Sequence, residues 1–521
     1  PITKRMPSLD AIRRLYPALE GSTTLLENAG GSQVPRFVAD AVRHHLLHDC
    51  VQLGAGYPAS DRATATVERA HRFMDRFVNG EGLGRVVLGS SSTSLMHVLA
   101  HAIGRTIVAG DEIVVCDQAH ESNVGCWLSL ARFGATIRWW KVDPQTGSLD
   151  LAGLRSVLSD RTRIVAFPQV SNLLGEIVDV AAAPRLAHEV GAKVVVDGVA
   201  FAPHRAIDVR AWGCDFSIWS TYKVYGPHLG AMFCRFEALD DPRHPLEGPN
   251  HFFIPRSDVP YKFELGGASH EGCAGIVGLA RLLEILAGEA EPDAEIDVSD
   301  LAASADRITF PTVAAAFAAM TALEAPVQSR LLERLAAHSK VRIIGPTSAS
   351  TEDRVATVSF LHESLDPRAI VKAAHAAGVG IRHGHMYAHR LCTAMGIEPD
   401  PGVVRVSAVH YNTVEEIDRL MDALDPALDW ALLTPYSSLL TPYSSLLTTF
   451  SPSPPLLFSS SPLLAPCPPP IPSAKPTSSS AGRPIGSWRP LAPTPTRSST
   501  ARCRSDSARS SRRSSTSSAP R

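Results

Sequence analysis

Two windows decide the reading: Val194-Val-Val-Asp-Gly-Val-Ala and, a little further on, Asp215-Phe-Ser-Ile-Trp-Ser-Thr-Tyr-Lys-Val-Tyr-Gly-Pro-His-Leu-Gly. Each is a short apolar run that ends in polar groups, the pattern of a strand buried on both faces and open only at its carboxyl end. Two such strands in one parallel sheet bring Asp197 and Lys223 to the same edge, where open α/β folds place their ligands. Working outward, strand-like runs occupy 85–89, 112–116, 136–140, 163–167, 193–196 and 215–219. Segments of helical period lie between them at 94–109, 124–133 and 182–191. This alternation predicts a mostly parallel sheet covered by helices on both faces.

The large domain so implied spans 21–285, behind an N-terminal arm at 1–20. A connection follows at 286–311; its acidic, poorly periodic part, 289–306, is expected to be exposed. Helical periods at 312–339, 367–377 and 414–424, with strand-like runs at 355–361 and 403–409, then describe a smaller α+β domain at 312–430. From about residue 431 the composition changes. The heptapeptide TPYSSLL stands at 434–440 and again at 441–447, and Ser, Pro and Arg dominate the rest of 431–521. With so few patterned apolar residues to offset chain entropy, this tail is expected to be disordered.

The whole-chain charge of −2 hides a split, because from Pro435 onward ten Lys or Arg face Asp506 alone and leave −11 for the part before. An acidic body gives no reason to expect a nucleic-acid partner. The nine cysteines are odd in number and never form a C-x-x-C pair, which suggests neither a disulfide framework nor a zinc site. Ser8, Asp10, Arg13 and Arg14 stand where a secretory leader would need an apolar run. No stretch offers the roughly 20 uninterrupted apolar residues of a membrane helix. The expected compartment is therefore the cytoplasm, with no membrane partner.

Taken singly, Asp197 reads as a helix cap and Lys223 as the surface residue of a turn. Together at one sheet edge they supply what pyridoxal phosphate (PLP) requires. The amine condenses with the cofactor's aldehyde, and the carboxylate keeps the pyridine nitrogen protonated. Desolvation beside the cofactor would also disfavour the charged lysine and free its amine. Over roughly residues 10–425 the chain resembles the class V aminotransferase family of PLP enzymes, which includes cysteine desulfurases and selenocysteine lyases. Asn28-Ala-Gly-Gly-Ser-Gln-Val-Pro, His270-Glu-Gly-Cys-Ala-Gly and Gly384-His-Met-Tyr-Ala resemble its bacterial cysteine desulfurase-like subgroup. Ile137-Arg-Trp-Trp, Asp197-Gly-Val-Ala-Phe-Ala-Pro-His-Arg and Val409-His-Tyr-Asn-Thr-Val-Glu-Glu resemble the fungal decarboxylative aldolase of ustiloxin biosynthesis. The resemblance implies the PLP-dependent transferase fold, aspartate aminotransferase-like, and a homodimer with active sites at the interface. The loop Gly266-Gly-Ala-Ser-His-Glu-Gly would cross between subunits.

Carried over by resemblance, Lys223 holds PLP as a Schiff base, Asp197 partners the ring nitrogen and His120 stacks on the ring. Asn172 lies near the ring oxygen. Ser92, Thr93, Ser220 and Tyr222 cup the phosphate, for which a helix start after a strand suits Ser92 and Thr93. Arg405 grips the substrate carboxylate, a task to which a planar guanidinium is suited. Gly30 and Gly31 let the backbone approach the substrate, and Tyr387 and His270 join the substrate side. The pattern also departs from the family. Tyr387 stands in the place of the desulfurases' sulfur-accepting cysteine, and the nearest thiol is Cys392. Ala200 replaces a glutamine, Tyr222 a phosphate-binding histidine, and Gly267 a threonine that reaches the neighbouring subunit's phosphate.

These features point to a PLP enzyme acting on a small α-amino acid through an external aldimine, with loss of a β-substituent or β-carboxylate. That makes it a carbon–sulfur lyase, or a decarboxylative enzyme with an aldehyde co-substrate. Transamination, desulfuration by a displaced Cys392, and a non-catalytic binding protein of the same fold are the alternatives.

Overall fold

The computed structural model describes residues 6–430 apart from 293 and 295; the TPYSSLL repeat and the tail lie outside the described residues. In chain order the strands are β1 (Thr24–Leu25), β2 (Gly84–Gly89), β3 (Glu112–Cys116), β4 (Thr136–Trp140), β5 (Thr162–Pro168), β6 (Lys193–Asp197), β7 (Phe216–Ser220) and β8 (Gly230–Arg235). They continue with β9 (Val341–Ile344), β10 (Thr357–His362), β11 (Val379–Gly380), β12 (Arg382–Gly384) and β13 (Val403–Ser407).

Seven of them form the large sheet in the order β2-β8-β7-β6-β5-β3-β4, and β8 alone runs against its neighbours. Strands β3, β6 and β7 are buried along their whole length, which is why they read as unbroken apolar runs. The period of two still sorts their side chains. Val194 and Val196 enter one core, with Phe167 and Trp219, while Val195 enters the other, with Phe216 and Ile218. The edge strand β4 alternates exposed and half-buried residues instead.

Helix His270–Leu286 is buried on nearly every side and packs among Arg36–His48, Pro58–Phe77, Val298–Arg307 and Phe310–Ala336, so its sequence is apolar all round. Phe77 at the end of one of these helices stacks on Trp219 of β7, with ring centroids 6.2 Å apart. Helices Ser92–Gly104 and Ser122–Leu128 cover the opposite face. The second sheet is antiparallel, β12-β13-β10-β9. Its core joins Val358, Phe360, Val404 and Val406 to Leu331, Ile370 and Leu420 from three helices.

The structure redraws the expected boundaries in three places. Strand β1 pairs in parallel with β11, and Leu26 lies in the smaller core, so this part of 21–285 packs with the small domain. The expected exposed connection contains helix Val298–Arg307, whose Leu301 and Ala305 are buried in the larger core. Only two or three of its positions face inward, too few to mark a periodic stripe. Helix Phe310–Ala336 belongs to both domains: Val313, Phe317 and Met320 enter the larger core, and Val327, Leu331 and Leu335 the smaller. At 27 residues it is long and apolar enough by composition to cross a membrane, although it has no uninterrupted apolar run of that length. Its apolar positions here are spent on two protein cores.

The loop after β5 stitches the domains together. Val355 N–H donates to the Gly175 carbonyl (2.9 Å) and the Ser359 hydroxyl to the Leu173 carbonyl (2.6 Å). The buried Arg354 guanidinium donates to the carbonyls of Leu174 (3.3 Å) and Thr357 (2.6 Å). Gly175 has φ +72°, and a Cβ there would lie 2.2 Å from the Thr357 carbonyl oxygen. Gly213 has a similar φ of +68° with nothing within 4 Å of its would-be Cβ. Gly213→Ala should therefore cost about 1–2 kcal/mol from left-handed strain alone, and Gly175→Ala at least about 2 kcal/mol more, from backbone overlap. Denaturant midpoints check this, and equal losses would show that the stitch is not tight.

Candidate active site

The carboxyl ends of the parallel strands deliver the polar groups to one edge. Strand β6 ends at Asp197, β7 at Ser220 before a tight turn over Thr221–Lys223, and β5 before the Asn172 loop. The loop after β3 carries His120, and β2 leads into helix Ser92–Gly104. Around them lies a cleft. Ser92, Thr93, His120, Asn172, Asp197, Tyr222 and Lys223 line it, with Ser122, Val199 and Ala200.

Asp197 is buried, and its Oδ1 accepts from Val199 N–H at 3.0 Å. Burial pushes its carboxyl up to about 6, against the stabilising charge of Lys223. The same desolvation, aided by the Arg405 charge, lowers the half-buried Lys223 amine to about 8. His120 is lowered to about 4 by desolvation and then by Lys223 and Arg405. Its Nδ1 accepts from Ser122 N–H at 3.1 Å, which leaves the ring proton on Nε2.

At the start of helix Ser92–Gly104, Ser91 caps the Ser94 N–H, and the amides of Ser92 and Thr93 in the first turn lie outside the helix's own hydrogen-bond ladder. The Ser92 hydroxyl bonds the buried Ser220 hydroxyl at 3.0 Å. Gly230 on β8 is what allows this closeness, since a Cβ there would meet Ser92 N at 2.4 Å. A row of hydroxyls and free amides at a helix start is an anion cup. With an amine and a proton-holding carboxylate beside it, the donor set fits a phosphorylated aldehyde with a basic ring nitrogen.

The small domain supplies the other wall. Arg405 on β13 is 3% exposed; its Nη1 donates to the Asn172 carbonyl (3.0 Å), and its Nη2 lies 3.4 Å from Glu27 Oε1. Its Nε is buried with no hydrogen-bond partner among the described residues. Asn172 Nδ2 donates to the Met386 carbonyl at 2.7 Å, so part of the donor capacity expected for a ring oxygen is spent on this loop. Tyr387, 59% exposed, sits at the mouth with its ring 5.0 Å from that of His120. Gly31 packs on the Tyr222 ring, whereas the would-be Cβ of Gly30 falls 2.5 Å from the Glu27 carboxylate.

One expected residue is not brought in: His270 is the first residue of the central helix, behind the capping Ser269, and packs edge-on against His45, away from the cleft. Cys392 is also elsewhere, fully buried among Leu173, Met386 and Leu391, with its thiol pushed up to about 11 by desolvation. Three contributors escaped the sequence reading. Ser122 orients His120. Ser32 brackets the lysine turn, its N–H donating to the Tyr222 carbonyl (3.2 Å) and its hydroxyl accepting from Tyr225 N–H (3.0 Å). Glu27 folds back onto Arg405, and its one sequence cue is Gly30, which leaves room for the carboxylate.

The protein-family model for "Aminotransferase class-V" matches residues 24–302 and 297–420. The chain is 37% identical over 429 residues to the "Aminotransferase-like protein FGM3" of Gibberella zeae, covering 81% of this chain and 98% of that protein. It is 30% identical to a cysteine desulfurase of Dickeya dadantii, over 80% of this chain and 96% of the relative. It is also 30% identical to the "Nonribosomal peptide synthetase-like enzyme fsqF" of Aspergillus fumigatus, of which it spans 26%. Among solved structures, the apo cysteine desulfurase of Thermococcus onnurineus shares the fold at a TM-score of 0.69 and 23% identity, over 82% of this chain and all of that one. The cleft's donor set and these matches agree, and the chain belongs to the class V aminotransferases, the PLP-dependent enzyme family that includes the cysteine desulfurases.

Proposed function

We propose that the enzyme acts on a small α-amino acid and breaks a bond at its β-carbon, expelling a β-substituent or a β-carboxylate. The observation that carries this is the mouth of the cleft, where Tyr387 stands against His120 and no cysteine is among the lining residues. Desulfuration needs a thiolate within reach, and the buried, weakly acidic Cys392 is a poor source of one.

Lys223 and Asp197 would hold the cofactor, and Ser92, Thr93 and Tyr222, which line the cleft, would hold its phosphate, with the buried Ser220 supporting Ser92 from behind. When bound, the cofactor makes the α-carbon acidic by accepting its electrons. Arg405 would bind the substrate carboxylate and fix the orientation of the α-carbon. With its affinity for protons lowered to about 8, Lys223 can take and return a proton near neutral pH. His120, neutral at working pH, offers a ring face without adding charge. Loss of a β-carboxylate would leave a carbon nucleophile able to add to an aldehyde.

Purified enzyme supplied with PLP should show a visible absorption band that is absent from Lys223→Ala. It should consume L-aspartate, with an adduct in the presence of an aldehyde, or release sulfide from L-cysteine. Stoichiometric keto acid with pyridoxamine phosphate would favour transamination instead, and inertness toward both amino acids would sink the β-carbon reading.

The Asp197 shift has a sign that can be measured. Its folded value near 6 lies above the ordinary 3.8, so the native state binds the proton more tightly than the unfolded chain does. Stability then falls as pH rises from about 4 to about 6, and the deficit, up to roughly 3 kcal/mol, persists above that. Cofactor-free Asp197→Asn should be about 2–3 kcal/mol more stable than wild type at pH 7.5 and equal to it near pH 4, by urea unfolding. Equal stability at both pH values would contradict this.

We also infer a homodimer. Phe252, Phe253 and Leu265 are 98%, 79% and 60% exposed beside Gly266 and Gly267, a surface suited to a second copy. Light scattering should give twice the chain mass, and Phe252→Glu with Phe253→Glu should halve it; a monomeric wild type would refute the inference.

A further inference from the structure

Glu27 has no part in the reading above, yet it occupies the substrate side of the cleft. Its backbone is fixed by a parallel bridge to Ser407, two residues beyond Arg405, so the two side chains rise from adjacent segments. Its Oε1 lies 3.4 Å from Arg405 Nη2 and 3.6 Å from Arg382 Nη1. The carboxylate rests on Gly30 in the space a Cβ would need. Two guanidiniums thus share one carboxylate.

The sharing is uneven. Arg405 is buried, and both distances are long beside the roughly 2.7–2.9 Å of a well-formed charge-assisted bond. Its Nε, buried and unpartnered, leaves a donor free. The Arg382 side chain is 53% exposed and can follow a moving partner at little cost in desolvation. The cluster carries one positive charge in excess, so a single further carboxylate would balance it.

We propose that Glu27 is an intramolecular stand-in for the substrate's carboxylate, which holds Arg405 until substrate arrives and then passes to Arg382. The device keeps a buried guanidinium from standing unpaired between turnovers, a costly state. It also sets a specificity threshold. A ligand must carry a carboxylate able to compete with Glu27, and an amine without one gains no access to Arg405. The proposal rests on the cleft being an amino-acid site.

The test is calorimetric titration of the PLP-loaded enzyme with propionate, the carboxylate portion of a small amino acid without its amine. Glu27→Gln removes both competition and negative charge. Glu27→Asp keeps the charge but shortens the reach. Both variants should bind propionate about threefold to tenfold more tightly than wild type, and Arg405→Lys should abolish the binding heat in every background. If Glu27→Asp binds as wild type does, the effect is one of charge alone and the displacement is refuted; weaker binding by either variant refutes it too. The visible band of Lys223, read on the same samples, separates failure of the cofactor assignment from failure of this one.

Discussion

The sheet edge is built around one costly requirement: an amine, a carboxylate and a guanidinium must be withdrawn from water together. Each would be strongly disfavoured alone; Asp197 and Lys223 ease each other's burial and Glu27 eases that of Arg405, while the charges of Arg405 and Lys223 oppose one another. Asp197 is charged more readily for the presence of Lys223, and Lys223 retains its proton partly because of Asp197 and Glu27. Much of the surrounding architecture serves this arrangement. The two buried sheet cores exclude solvent from β6 and β7, and Ser32, Ser122 and the stitched Asn172 loop hold the flanking turns.

The two domains divide the labour. The large sheet presents the groups suited to the cofactor, namely Lys223, Asp197, His120 and the Ser92 cup. Segments packed with the small sheet present the groups of the opposite wall: Arg405, Tyr387, and Glu27 through its bridge to β13. The departures from the desulfurases noted in the sequence fall on both walls, but the loss of the thiol falls on the second.

Legibility followed the physics of each feature. Strands β3 and β4 were readable to the residue, because fully buried or cleanly ended apolar runs leave little choice. The antiparallel β8 went unread, since Gly230 to Arg235 follows the lysine motif without a helix to set it apart. The pairing of Thr24 with Val379 could not be read, as two-residue strands carry no period and their partner lies far along the chain. At the site, chemically distinctive residues such as Lys223, Asp197 and Arg405 were visible in their motifs. Ser32, Ser122 and Glu27 were not, because their importance comes from where the fold points them rather than from their type. His270 shows the converse: it stood in a legible motif, yet within one chain it faces His45.

Helix Phe310–Ala336 lends each core a stripe of its own length. Melting the smaller core would strand Val327, Leu331 and Leu335 in water, and melting the larger would do the same to Val313, Phe317 and Met320. Neither loss can stay local, because a half-supported helix loses the packing that sustains it. The two cores are thus coupled through this helix, and the loss of either weakens the support of the other.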